Sequence, residues 1–530
     1  MTDHSIMDHS IPASFWILTI LSIIGVHIGL YKLFQKAGIK GWKALIPFYN
    51  YYLCVKLIGK PLWWFLLLFV PVVNAVMIFL ISTDLVRAYG KDSFWAGVAS
   101  MMIPQVYYPL IGFDKKVKYL GVPHEVYKGK KKTFLREWAD AIAFAVIAAT
   151  FIRTFFFEAY TIPTTSMEST LLAGDFLFVS KSHYGPRFPI TPIAFPFAHH
   201  TMPFFGGKAY SEIIQLPYFR LPGIENIHRN DIVVFNFPEG DTVYIPMGDQ
   251  SYYDMKRGNP RFVPRPDEIT TRPLDKRENY IKRCVAIPGD SLSIINGVLY
   301  INGEKAFEPE HEQKLYQIIS KPRVTISEEF LKENGINIMD RQGNGIVEGG
   351  NNQTYVNITL DQEKLERLKA NPAIESIKLI YFGNSQAELG RNINQSRRIF
   401  PHALNVQRNS LDEFGPIYIP KRGVTIQINE KTYPFYQRVI ESYEHNNVTY
   451  DQNGNPFLNG KQLTEYTFKQ NYYWLMGDNR HVSLDARFWG FVPEDHVVGK
   501  ASMVWWSWDS KVPFFQRFGT IRWDRVMRFV

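Results

Sequence analysis

The pattern of apolar and polar positions changes near residue 158 of this 530-residue chain. Before it, four long apolar stretches at 13–34, 61–82, 93–113 and 140–157 are separated by short polar segments. A helix needs about 20 apolar residues to cross a hydrocarbon core, so the pattern predicts four membrane spans. The third is interrupted by Pro104 and Gln105, and the fourth is short and rich in alanine. From Tyr160 onward the apolar runs are short and lie between Gly, Pro and Asn, which predicts strands. Residues 231–237 and 280–287 read as two of them. Asn296-Gly297 inside 291–301 predicts a two-residue hairpin turn, and Asn453-Gly454 inside 451–460 predicts another. Helices are expected at 359–370, opened by a capping box of Thr359 and Gln362, and at 433–443, with Pro434 near its start. The expected fold class is a multi-span α-helical membrane region followed by a mainly β, antiparallel-sheet domain with a β-rich accessory lobe. The expected divisions are a three-span membrane region at 1–133, a fourth anchoring span at 134–158, a β domain formed by 159–304 and 471–530, and the lobe at 305–470.

Charge refines this picture. The net charge is +9, but many basic residues sit in loops between apolar spans, where they act as topology determinants, so a nucleic-acid partner is not expected. Lys32, Lys36, Lys40, Lys43, Lys56 and Lys60 occupy the first loop region without an acidic residue, and eight basic residues lie between 115 and 136. Both loops are expected in the cytoplasm, which leaves the β domain on the outer face. The N-terminus, with Asp3 and Asp8 and no nearby Lys or Arg, does not read as the basic end of a cleaved signal peptide. Two cysteines, Cys54 and Cys284, cannot build a disulfide framework or a metal cluster.

The chemistry concentrates after the fourth span. Residues 162–181 read Ile-Pro-Thr-Thr-Ser-Met-Glu-Ser-Thr-Leu-Leu-Ala-Gly-Asp-Phe-Leu-Phe-Val-Ser-Lys, with Ser166 in a hydroxyl cluster beside Thr164 and Thr165. A serine needs a neighbouring base to become a nucleophile. The surroundings of Ser166 are not Gly-x-Ser-x-Gly, so a nucleophile elbow is not indicated. A Ser-His-Asp triad is open in principle, but the histidines lie in loop-like contexts, and His199-His200 lacks further ligands at metal-site spacing. Lys282, in the apolar strand Tyr-Ile-Lys-Arg-Cys-Val-Ala-Ile, is the better base. An ordinary lysine of pKa about 10.4 is less than about 0.1% neutral at pH 7, and lowering it by about three units takes roughly 4 kcal/mol, which burial can supply. A third stretch, 477–490, runs Gly-Asp-Asn-Arg-His-Val-Ser-Leu-Asp-Ala-Arg-Phe-Trp-Gly. In it Asp485 and Arg487 are placed to pair, and Ser483 to orient a neutral lysine.

These three stretches, in this order, resemble type I signal peptidase, the membrane-anchored Ser/Lys leader peptidase of bacteria. The resemblance covers about 157–181, 231–236, 280–303 and 474–509. It implies an antiparallel β catalytic core in which Ser166 is the nucleophile and Lys282 the general base. The Ser166 N–H and Thr164 hydroxyl would form the oxyanion hole, Ser483 would orient the lysine, and Asp485 and Arg487 would support it. Tyr160, Ile162, Met167, Leu171, Val234, Tyr280 and Ile281 would line shallow pockets for small side chains. The implied substrates are membrane-tethered preproteins with Ala-x-Ala-type cleavage sites, met at the outer (periplasmic) face of the inner membrane, with the bilayer and the export machinery as further partners and no metal or other cofactor. Ser169 stands where the family commonly has proline, Cys284 where an apolar residue is common, and Ala486 in place of a frequent serine. Residues 1–130 fall outside the resemblance, and four spans exceed the family's usual one or two. A self-processing repressor-type Ser/Lys peptidase would be soluble and carry a DNA-binding module. A non-catalytic membrane scaffold or transporter would place ionisable groups within its spans, where the first has only His27 and Lys32.

Overall fold

The computed structural model describes the chain from residue 13 onward, apart from 67, 69–72, most of 129–151, 196, 204–205, 249, 337–345, 349–352, 386–395 and 511. It divides into two compact units, Met1–Phe151 and Ile152–Val530.

The first unit is helical: α1 (Ala13–Lys36), α2 (Tyr49–Leu57), α3 (Trp63–Leu66), α4 (Val73–Ala88), α5 (Phe94–Met102) and α6 (Pro104–Phe113). α1 lies close against α6. Gly25 and Gly29, one turn apart on α1, have no room for a Cβ, which would overlap the Gln105 carbonyl and the Tyr108 side chain. Small residues at this spacing let two helix backbones approach. Lys36 then caps the partner helix, its Nζ donating to the Ile111 carbonyl at 3.1 Å and the Val117 carbonyl at 2.8 Å.

Among the described residues no helix is long and apolar enough to cross a membrane, so the expected spans are not borne out there. The described part of the second expected span holds α3 and α4, and α4 continues into Asp84 and Arg87. The third stops at Ile103, because Pro104 has no N–H to continue α5 and instead opens α6. The fourth expected span lies largely outside the described residues.

The second unit is built on an eight-stranded sheet. Its elements begin with β1 (Phe157–Thr161), β2 (Asp175–Ser180), β3 (Ile232–Asn236) and β4 (Asn279–Ala286). A hairpin follows, β5 (Ser291–Ile295) and β6 (Val298–Ile301). Next come β7 (Lys314–Ser320), β8 (Ile346–Glu348), β9 (Thr354–Leu360), α7 (Gln362–Lys369), β10 (Ile374–Leu379), β11 (Phe414–Tyr418), which pairs with β5, and α8 (Tyr433–Arg438). The chain returns through β12 (Tyr472–Met476), β13 (Val492–Pro493), β14 (Val497–Ser507) and β15 (Arg528–Phe529). The main sheet runs β1-β2-β14-β3-β4-β12-β13, with β15 on β14, and every pairing is antiparallel. β14, late in the chain, therefore joins the two early strands to β3 and β4. β3 is buried at all five positions, as expected of a central strand covered on both faces.

The lobe carries a second antiparallel sheet, β8-β9-β7-β10, over a core of Ile318, Val356, Ile358 and Leu368. The turn at Asn296-Gly297 forms as expected, both residues at positive φ between paired Ile295 and Val298. The second expected turn differs. Tyr450 pairs with Pro456, so Asn453-Gly454 sits in a five-residue loop whose Asp451 accepts from the Asn453 and Asn455 N–H groups. The two-residue turn falls at Asn459-Gly460 instead. The helix expected from Thr359 starts later, because Thr359 belongs to β9 and Asp361 is the cap, accepting from the Lys364 N–H at 2.9 Å.

The loop between β1 and β2 is closed by a buried cluster. Asp175, fully buried, accepts from Arg525 Nη2 at 2.5 Å, Ser507 Oγ at 2.7 Å and the Leu172 N–H at 2.8 Å. Removing the carboxylate leaves the Arg525 charge buried without it, at a cost of about 3–5 kcal/mol. Asp175→Ala is expected to lower the melting temperature of the purified chain clearly, followed by circular dichroism; an unchanged melting curve contradicts this account.

Candidate active site

Ser166 sits in the closed loop between β1 and β2. The neck is held by Ile162 N–H to the Asp175 carbonyl and Gly174 N–H to the Ile162 carbonyl, both 2.9 Å. Gly174 has φ +94 and packs so tightly under the Trp508 carbonyl that a Cβ would overlap it. A short turn, with Glu168 N–H on the Thr165 carbonyl at 2.9 Å, presents Ser166 inward, where it is 8% exposed.

Lys282 comes from β4, directly across from Val233 of β3. It is 4% exposed, and its Nζ lies 2.5 Å from Ser166 Oγ. Burial pulls its pKa down from 10.5 to about 8, against the opposing pull of the Asp485 and Asp478 carboxylates. Arg283, the next residue, is engaged elsewhere: its Nε and Nη2 grip Asp478 at 2.8 and 2.6 Å, and its Nη1 donates to the Asn230 carbonyl at 2.9 Å.

The segment after β12 encloses this pair. Asn479 donates its N–H to the Ser166 carbonyl at 3.2 Å and its Nδ2 to the Thr165 carbonyl at 3.3 Å. Asp478 also accepts from Thr170 Oγ1 at 2.7 Å. Gly477 passes between Ser483 Oγ and the Ser166 carbonyl, and a Cβ there would overlap both. Glycine is required by this close approach rather than by its φ. Asp485 and Arg487 form a fully buried bidentate pair, with Nε to Oδ1 at 2.9 Å and Nη2 to Oδ2 at 2.8 Å. Burial pushes the Asp485 carboxyl up, but Arg487's charge and hydrogen bonds outweigh it and hold it below the usual range. The expected hydrogen bond from Ser483 to Lys282 is not made. Ser483 Oγ is buried without a hydrogen-bond partner among the described residues, because its side chain is stacked over Gly477.

Thr164 is exposed, with Oγ1 3.4 Å from Ser166 Oγ, on the accessible side of the nucleophile. Of the expected pocket residues, Ile162, Met167, Leu171 and Val234 belong to one buried cluster, with Tyr160 and Ile281 packed at its edge. Tyr280 is placed elsewhere. It stacks on Phe237 at 4.6 Å and meets Trp489 edge-on at 5.6 Å, because side chains alternate along β4 and its neighbour Ile281 takes the other face. Sequence reasoning gave Gly477, Asp478 and Asn479 no individual roles; their signal was the Gly-Asp-Asn turn itself. Among the described residues no group of three or more His, Cys, Asp or Glu side chains is placed to hold a metal ion. Both cysteines are free and buried.

A model of the signal peptidase family, peptidase S26, matches residues 135–352 and 418–506, more than half of the chain. A model of a family of unknown function matches residues 42–122. The chain is 24% identical over 381 residues to a signal peptidase I of Buchnera aphidicola subsp. Schizaphis graminum, covering 72% of this chain and 78% of that one. To the signal peptidase I of Buchnera aphidicola subsp. Baizongia pistaciae it is 25% identical over 398 residues, 74% of this chain and 83% of that one. A signal peptidase I of Rickettsia canadensis is 29% identical over 174 residues, 33% of this chain and 45% of its own. The matched segments contain both partners of the Ser166–Lys282 contact and the turn that encloses it, and the chain belongs to the signal peptidase family, peptidase S26, as a serine peptidase.

Proposed function

We propose that this protein is a membrane-associated endopeptidase that removes N-terminal signal peptides from exported preproteins, with Ser166 as nucleophile and Lys282 as general base. The observation that carries this reading is the 2.5 Å contact between Ser166 Oγ and a buried Lys282 Nζ whose pKa is drawn down to about 8. The relatives carrying the name signal peptidase I support the substrate class. In the neutral form Lys282 accepts the Ser166 proton as Oγ attacks the scissile carbonyl carbon. The tetrahedral oxyanion is met by the Ser166 N–H and the Thr164 hydroxyl, donors aimed where charge develops. The lysine, now charged, protonates the departing amine and leaves an acyl-enzyme. A water then gives its proton to Lys282 and attacks the ester carbonyl, and Lys282 returns that proton to the departing Ser166 Oγ as the signal peptide's new C-terminus is released.

The apolar cluster of Ile162, Met167, Leu171 and Val234 beside the serine suits small apolar side chains at the cleavage site, as in Ala-x-Ala. For the helical unit we propose lipid contact at the inner membrane, with the catalytic unit acting on the periplasmic face. The support is the exposed apolar side chains of Leu21, Ile24 and Ile28 on α1, Trp95 on α5 and Leu110 on α6. A large exposed apolar surface of this kind marks a partner or a membrane. Preproteins held in the same bilayer by their signal segments would meet the enzyme in two dimensions.

Ser166→Ala and Lys282→Met are each expected to lower kcat on a preprotein, followed by gel in detergent, by about 10⁴-fold or more. Processing by either variant at the parent rate contradicts the Ser/Lys assignment. Because the neutral lysine is the active form, kcat/KM should rise with pH to a plateau, with a midpoint near 8. Stability should follow the same group in the opposite sense to a favourable ion pair. Holding a charged Lys282 in the folded state costs about 3 kcal/mol, the difference between 10.5 and about 8. That cost is fully present below pH 8 and fades as pH rises toward 10.5. Lys282→Met should therefore melt at a higher temperature than the parent at pH 7, with the gap closing toward pH 10.5. A gap that is absent at neutral pH contradicts the burial cost.

A further inference from the structure

One polar network of the catalytic unit is not used by the chemistry above, and it ends three residues from the nucleophile. Ser169 has φ +70, a conformation unfavourable for any residue but glycine. Its hydroxyl is fully committed. It donates to Asp361 Oδ2 at 3.1 Å and accepts from Gln313 Nε2 at 2.9 Å and Lys364 Nζ at 3.0 Å, which uses the one donor and two acceptor sites of a hydroxyl. Asp361 is itself fixed. It caps α7 through the Lys364 N–H at 2.9 Å and pairs with Lys364 Nζ at 2.7 Å, and it is 5% exposed. Gln313 is tied by its backbone to the turn that encloses the site. Its N–H donates to the Asp478 carbonyl and its carbonyl accepts from the Arg480 N–H, both at 2.9 Å. Asp361 and Lys364 lie in the stretch between the two segments that the family model matches, 135–352 and 418–506. The network is thus supplied in part by the lobe's own sequence.

We propose that Asp361 and Lys364 of the lobe are positioning residues for the nucleophile: with Gln313 they hold the Ser169 hydroxyl, and through that turn keep Ser166 Oγ against Lys282 Nζ. The reading rests on the Ser166/Lys282 assignment above. Ser166 and Ser169 share one tight turn, in which the Glu168 N–H bonds to Thr165 and the Leu171 N–H to Met167. Freeing Ser169 removes the tether that fixes this turn, and the resulting backbone shift is transmitted directly to Ser166. A displacement of a fraction of an ångström is enough to weaken catalysis without altering substrate contacts made elsewhere. It also admits water to Lys282 and relieves the burial that makes it a base.

The test uses the full-length chain in detergent with a preprotein substrate, comparing Asp361→Ala, Lys364→Met and Ser169→Gly with the parent and with Ser166→Ala. Ser169→Gly removes the hydroxyl while accepting positive φ, so it separates the network from backbone strain. Asp361→Ala and Ser169→Gly are each expected to lower kcat about tenfold with KM within about twofold, and to move the acid limb of kcat/KM upward by about half a pH unit. Lys364→Met should act in the same direction. Parent kcat and an unmoved limb in Asp361→Ala overturn the proposal. So does a loss of activity that only follows a lower melting temperature with the limb in place, which is the signature of lobe docking alone. If Ser166→Ala keeps parent activity, the Ser/Lys assignment itself has failed, and the failure is separate from the behaviour of Asp361→Ala.

Discussion

A hydroxyl and an amine held 2.5 Å apart, both residues buried, set the demands that the rest of the catalytic unit meets. The amine must be neutral to act, so the site must be dry. It must also be free of uncompensated negative charge. A carboxylate about 4 Å from an ammonium at an effective dielectric of about 20 favours the charged form by about 4 kcal/mol. Asp485 and Asp478 both pull on Lys282 in that direction, and burial outweighs them. Each is paired with an arginine, Asp485 with Arg487 and Asp478 with Arg283. The two ion pairs are therefore less a source of stability than a means of placing carboxylates near the site, for backbone ordering, without restoring the lysine's charge. Asp485 accepts the Gly477 N–H at 3.2 Å, and Asp478 accepts Thr170 Oγ1 at 2.7 Å. The turn that covers the serine is thereby fixed by carboxylates whose pull on the lysine is outweighed by its burial.

Much of this was readable from residue order. Strand positions followed from apolar runs, the Asn296-Gly297 turn from its left-handed requirement, and the candidate serine, lysine and acid–arginine pair from three short stretches. The parts that were not readable depend on which distant residues meet. The serine loop is closed by Arg525, 350 residues from Asp175, and no local pattern marks that arginine. Gly477 is needed because the Ser166 carbonyl and Ser483 crowd it, which is a fact of packing. Spacing suggests Lys282 as a partner for Ser483, but its Oγ has none among the described residues. Tyr280 and Ile281, adjacent in sequence, were assigned to one pocket although a strand sends neighbouring side chains to opposite faces. In the helical unit hydropathy gave the apolar runs, but Pro104 decided where the third of them is divided into two helices.

The region from β7 to β10 also reaches the site. Its sheet has its own core, yet its helix cap reaches the serine turn, and Gln313 bonds through side chain and backbone to both sides of the active-site cover.

The central claim is that Lys282 titrates near neutrality because the fold keeps it dry. The most direct test is the titration of Lys282 itself, followed as the NMR signal of ¹³Cε-labelled lysine and assigned by its disappearance in Lys282→Met. The structure predicts a midpoint of about 8. A midpoint at the ordinary lysine value of about 10.4 would contradict it.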